Sequence, residues 1–105
     1  MTELNKNIGI KYLIEECYNI AKSKGWWDND RNDGELIALM HSELSEALEV
    51  IRNPKSNKDD LAEELADCCI RIFDYCGARK IDLEEALLKK MEYNKTRPYR
   101  HSKKF

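Results

Sequence analysis

Apolar residues recur along most of this chain at three- and four-residue intervals, and no stretch sustains the alternation that a strand needs. The spacing predicts four helices and an all-α fold. The first covers about Asn5 to Lys24, with Ile10, Leu13, Ile14, Cys17, Ile20 and Ala21 on its apolar side and Gly25 as its stop. A loop through Trp26, Trp27 and Asp28 to Asp33 follows, and its Asn and Asp residues suit turns and a helix N-cap. The second helix is expected over about Gly34 to Arg52, ended by Asn53-Pro54 because the residue before proline avoids helical backbone. Ser56 with Asp59 three residues on resembles a capping box for a third helix reaching about Cys76, where Gly77 is expected to break it. Asp82 with Glu85 repeats the device for a fourth helix to about Thr96, since Pro98 cannot continue it. The tail from Tyr99 to Phe105 is too short and polar to fold alone.

Acidic residues interrupt this pattern in two places, Glu43-Leu-Ser-Glu46 and Glu64-Leu-Ala-Asp67. Carboxylates at i and i+3 lie about 60° apart around a helix and about 4.5 Å apart along it. Each pair therefore presents its oxygens to one small volume, and two such helices packed together would make a four-carboxylate cage. A cage of that kind repels itself unless cations sit in it, and hard ions such as Mg²⁺ or Mn²⁺ prefer all-oxygen ligands. On a helical wheel, Glu43 falls inside the apolar arc of Leu36, Leu39, Met40, Leu44, Ala47, Leu48 and Ile51, with Glu46 on its edge. An acid driven inward needs a partner or a metal, or must stay protonated. On the third helix the buried arc comprises Leu61, Leu65, Cys68, Cys69, Ile72, Phe73 and Cys76, with Glu64 at its border. Asp67 lies further out with Asp60, Arg71 and Asp74. Structural or surface carboxylates are the alternative reading. Zinc is disfavoured because no histidine or cysteine joins the pairs at ligand spacing, and a ferritin-like di-iron site would want Glu-x-x-His.

Composition limits the function classes. With 105 residues, 36% of them charged, the chain is expected to be one domain (1–105) with a thin core that self-association would help. Eighteen basic against twenty acidic residues favour neither polymeric nucleic acid nor an anionic membrane. The C-terminal end is nevertheless cationic: Lys89, Lys90, Lys95, Arg97, Arg100, Lys103 and Lys104 face Glu92 alone. No long apolar run and no basic-then-apolar N-terminal segment is present, so a cytoplasmic protein is expected. Cys17, Cys68, Cys69 and Cys76 show no CxxC spacing and are read as buried reduced thiols.

Leu83, Leu87, Lys90, Asn94 and Arg97 form one stripe on the fourth helix, apolar in its first half and polar in its second. Such a change suggests a helix that leaves the core and enters a polar cleft, where Lys90 and Arg97 would hold phosphate oxygens and Asn94 would donate. Ordinary complementation of the helix dipole is the alternative. Trp26 and Trp27 would stack on a nucleobase or pack against a second subunit. His41 and His101 stand in no nucleophile-and-base arrangement, and the four glycines form no phosphate loop.

Taken together, these blocks resemble the small MazG-like nucleotide pyrophosphohydrolases of the all-α NTP pyrophosphatase superfamily. Leu39-Met40-His41-Ser42-Glu43-Leu44-Ser45-Glu46-Ala47-Leu48-Glu49 resembles the family's first acidic helix. Glu63-Glu64-Leu65-Ala66-Asp67 resembles its second, and Lys90, Asn94 and Arg97-Pro98 its closing segment. The similarity spans about residues 20 to 101. It implies a four-helix bundle completed by oligomerisation as a homodimer or homotetramer, with Mg²⁺ on Glu43, Glu46, Glu64 and Asp67. It also implies that Lys90, Asn94 and Arg97 contact a nucleoside triphosphate, which is cleaved between its α and β phosphates to a monophosphate and pyrophosphate. From the residues themselves, Glu43 is nominated as the carboxylate that also orients or deprotonates the water, its apolar surroundings favouring a raised pKa. Trp27 and Arg71 are candidate substrate contacts, although Arg71 is equally suited to a salt bridge with Asp67 or Asp74. A phosphoribosyl-nucleotide pyrophosphohydrolase and a non-catalytic helical metal-binding or partner-binding protein are the competing readings.

Overall fold

The computed structural model describes residues 8–105, which form four α-helices and, among the described residues, no strand. They are α1 (Ile10–Ser23), α2 (Asp33–Arg52), α3 (Lys58–Arg79) and α4 (Leu83–Lys95), followed by a short 3-10 turn at Tyr99–Ser102. Asn5, the expected start of the first helix, lies outside the described residues. The all-α expectation therefore holds, and the local chemistry explains most boundaries. Asn32 caps α2 by accepting from the Glu35 N–H at 3.1 Å, and Asp82 caps α4 by accepting from the Glu85 N–H at 3.0 Å.

Two expected boundaries are corrected. The capping box of α3 is Asn57 with Asp60, each side chain accepting from the other's backbone N–H at 3.0 Å, not Ser56 with Asp59. Gly77 does not break α3, which continues to Arg79 and ends on Lys80 in the left-handed region (φ 56°, ψ 46°). Gly77 instead permits a close approach between helices. A Cβ placed there would fall 2.6 Å from Tyr18 Cβ and 3.3 Å from the Ile14 carbonyl oxygen, so α1 can cross α3 only over a missing side chain.

α3 is the centre of the molecule, packing against α2 on one side and α1 on another, while α4 packs on α1. The turn at residues 53–57 makes α2 and α3 an antiparallel hairpin. Its register is marked by Glu43–Arg71 and by Cys68 Sγ donating to the Met40 carbonyl near the middle, and by Asp33–Arg79 towards the open end. The buried apolar side chains among the described residues are Ile14, Leu36, Ala47, Cys68 and Cys76.

That core is thinner than the wheels predict. Leu44, Leu48, Ile51 and Leu65, all placed on buried arcs by their spacing, are exposed, and so is Cys69. The physical reason is coverage: α2 has one substantial helical neighbour, and a single neighbour cannot cover so wide an apolar arc. All four cysteines are free, as expected, but only Cys68 and Cys76 are buried. The Cα radius of gyration, 16.5 Å, exceeds the ~13 Å of a compact domain near this length. No helix among the described residues is long and apolar enough to cross a membrane.

Candidate functional site

The hairpin register brings the two acidic motifs together. Glu43 on α2 and Glu64 and Asp67 on α3 each offer one carboxylate oxygen within 4.8 Å of the others. Glu43 is buried, at 7% exposure, despite its charge. Its Oε1 accepts from Arg71 Nε at 2.7 Å, an ion pair in which the arginine side chain is 38% exposed. Glu43 Oε2 and Glu64 Oε2 are buried and have no hydrogen-bond partner among the described residues. A buried carboxylate oxygen left without a donor is costly, and two of them in one acidic cluster fit a site that takes a cation.

Glu46 stands beside this group of three rather than within it. It is solvent-exposed, yet its pKa is raised, chiefly by the neighbouring Glu43 carboxyl and then by the charge of Glu64. The first motif's carboxyls therefore bear on each other, so that Glu46 holds its proton more tightly than an isolated acid. A divalent ion would replace that proton and relieve the same repulsion. Mg–O bonds of about 2.1 Å place ligand oxygens within about 4.2 Å of each other, so the group of three would close up slightly around such an ion.

Glu43 and Asp67 of the acidic cluster line a cavity of about 450 Å³ between α1 and α3. Arg71 lines it next to Glu43, and Cys17, Ile20, Ala21, Trp26 and Ile70 supply an apolar wall, with Lys24 and Asp74 completing the lining. Trp26 is 62% exposed and available to a ligand. Trp27 is used differently: its indole Nε1 donates to Asp74 Oδ1 at 2.7 Å, and its ring meets Tyr18 edge-on with centroids 6.1 Å apart. The guanidiniums of Arg31 and Arg79 lie 5.1 and 5.5 Å from the Trp27 ring centre. Burial pushes the Asp74 carboxyl above its ordinary value, while the Trp27 hydrogen bond and the charges of Arg31 and Arg71 pull it back.

The polar stripe of α4 is not brought to this cavity within one chain. Lys90 and Asn94 are exposed, and Lys90 and Arg97 lie over the Tyr93 ring, 4.8 and 5.7 Å from its centre. None of the three lines the cavity. Sequence reasoning missed two pairings, Arg71 with Glu43 and Trp27 with Asp74. The first was accessible in principle, because a tight turn at Asn53-Pro54 forces an antiparallel hairpin that sets the middle of α2 against the middle of α3. The second joins a loop to a helix and has no local signal.

An all-α hairpin carrying an E-x-x-E motif on one arm and an E-x-x-D motif on the other, with their carboxylates gathered at a cavity, defines a helical protein equipped for a cation and an anionic ligand. The chain belongs to the MazG family: residues 31–101 match the MazG nucleotide pyrophosphohydrolase domain. Neither a curated protein nor a solved structure matches it. Membership supports a hydrolase acting on nucleotide phosphoanhydrides as the class of activity.

Proposed function

We propose that the protein is a Mg²⁺-dependent nucleoside triphosphate pyrophosphohydrolase, releasing a nucleoside monophosphate and pyrophosphate by attack of water between the α and β phosphates. The observation that carries this reading is the meeting of Glu43, Glu64 and Asp67 beside a nucleotide-sized cavity that Glu43 and Asp67 line, with an unpartnered buried oxygen on each glutamate. These three, with Glu46 alongside, would hold Mg²⁺ or Mn²⁺, which would supply the positive charge that offsets the triphosphate and makes a water easier to deprotonate.

The chain's own residues divide the remaining work. Glu43 Oε1 is held by Arg71, so Oε2 is the oxygen left to orient the water and take its proton. Arg71 lines the cavity and is fixed through Nε, which leaves its outer nitrogens to donate to phosphate oxygens. The apolar wall excludes water from the rest of the ligand. Lys90, Asn94 and Arg97 would reach the phosphates in a homodimer or homotetramer, where α4 of one copy meets the acidic cluster of another. The exposed Leu44, Leu48 and Ile51 on α2 supply an apolar face for such an assembly.

The test is an assay across canonical and modified nucleoside triphosphates with Mg²⁺, in which pyrophosphate and orthophosphate are measured separately. Pyrophosphate release that EDTA abolishes is expected. Orthophosphate as the product, or no turnover of any triphosphate, would overturn the reading in favour of a non-catalytic metal-binding protein.

A further inference from the structure

Asp74 lines the same cavity as Glu43 and Asp67, about one and two helical turns along α3 from Arg71 and Asp67, and its surroundings restrict what it can present. Indole Nε1 is a donor only, so the oxygen of Asp74 that meets Trp27 must be an acceptor. In the carboxylate, the other oxygen is an acceptor too. Cys17, Ile20, Trp26 and Ile70 offer apolar contact in the same cavity; Arg71 and Lys24 also line it, but Arg71 is ion-paired with Glu43 and neither is ion-paired with Asp74. A cavity of about 450 Å³ falls within the usual range for small-ligand sites, about 300–1,000 Å³. A ligand whose phosphates lie beside Glu43 would direct its base towards this wall.

We propose that the wall between α1 and α3 is the nucleobase subsite, and that Asp74, oriented by Trp27, selects bases that present an exocyclic amino group. Cytosine and uracil differ at one ring edge, amino in one and carbonyl in the other, and adenine and hypoxanthine differ in the same way. A carboxylate oxygen accepts from the amino group and repels the carbonyl. Because a charge-assisted hydrogen bond inside a cavity is gained in one case and a repulsion in the other, the preference for cytosine over uracil is about tenfold or more.

In Asp74→Asn, the amide oxygen must stay on the indole N–H, so the amide NH₂ is turned into the position of the free carboxylate oxygen. The group facing the ligand changes from acceptor to donor while its shape is kept, and the preference inverts towards uracil and hypoxanthine. The inference rests on the nucleotide reading above, and nucleosides without metal separate the two, because they need neither the acidic cluster nor turnover.

The experiment titrates cytidine and uridine into the metal-free protein and follows the Trp26 and Trp27 indole N–H signals by NMR. CTP and UTP turnover with Mg²⁺ is measured alongside. Cytidine binding tighter than uridine in the wild type, and the reverse in Asp74→Asn, is the expected result. Equal affinities, absence of binding, or a preference unmoved by the substitution overturns the subsite even if both triphosphates are hydrolysed. The expected preference without any pyrophosphate release leaves the subsite standing and removes the enzymatic reading. Should Asp74→Asn fail to fold, the wild-type comparison decides alone.

Discussion

Arg71 Nε stands 2.7 Å from Glu43 Oε1, and through that bond α3 neutralises the one acid that α2 buries. The pair joins the two arms of the hairpin at the point where the acidic motifs converge. It also leaves the opposite oxygen of Glu43 without a donor, so the same contact that stabilises the fold defines which oxygen is free for chemistry.

Arg71→Gln is expected to lower stability by about 2 kcal/mol in EDTA, because removing one partner strands a buried charge. The cost stays below the ~3–5 kcal/mol of a fully buried pair since the arginine side chain is 38% exposed. Mg²⁺ should recover part of the loss by supplying the missing positive charge. Urea unfolding of both proteins with and without Mg²⁺ measures this, and an unchanged midpoint would show that the pair contributes nothing.

Glu43→Gln keeps the shape of the side chain and its contact with Arg71 through the amide oxygen, but takes away the proton acceptor. Loss of a general base typically costs about 10²–10⁴-fold in turnover. The variant should fold, retain some metal affinity by calorimetry, and lose most of its pyrophosphate release. Near-normal turnover at saturating Mg²⁺ would move the base elsewhere.

The raised pKa of Asp74 has a consequence for stability. A carboxyl raised by folding contributes stability below its unfolded pKa of about 3.9 and loses it as pH rises through the higher folded value. Arg31, Arg71 and the Trp27 N–H oppose this burial without cancelling it. The melting temperature of Asp74→Asn relative to wild type should therefore rise between pH 4 and pH 7. A difference that stayed flat with pH would mean that Asp74 is not desolvated.

Cys17 reports on the same cavity. Burial, then the charges of Asp74 and Glu16, raise its thiol pKa, and only the thiolate is alkylated. Its modification by iodoacetamide should be slow at pH 8, faster in Asp74→Asn, and slowed further by a bound nucleotide. Peptide mass spectrometry over time resolves Cys17 from the exposed Cys69.

Much of the architecture is written in local patterns. The caps Asn32 and Asp82, the Asn53-Pro54 turn and the period of the apolar residues each act within a few positions, so their effects can be read along the chain. Glu43 as an inward acid follows in the same way, from one helix considered alone. What the sequence conceals depends on two elements meeting. Gly77 reads as a helix stop until Tyr18 is seen against it, and Arg71 has several plausible partners until the hairpin register chooses Glu43. Leu48 and Ile51 look buried because periodicity reports which face is apolar, not whether anything covers it. Trp27, grouped with Trp26 by sequence, is tied down by Asp74, and only the fold separates an anchored indole from an available one.

Gly77 gives the cavity a dimension that none of its lining residues controls. The same two helices that cross at Tyr18 and Gly77 supply Cys17 and Ile20 on one wall and Ile70 and Asp74 on the other. A single methyl group at position 77 would act as a shim under α1 and pry the walls apart. Tolerance for larger or altered ligands can therefore change through a residue that meets no ligand, and two relatives with identical linings need not accept molecules of the same size.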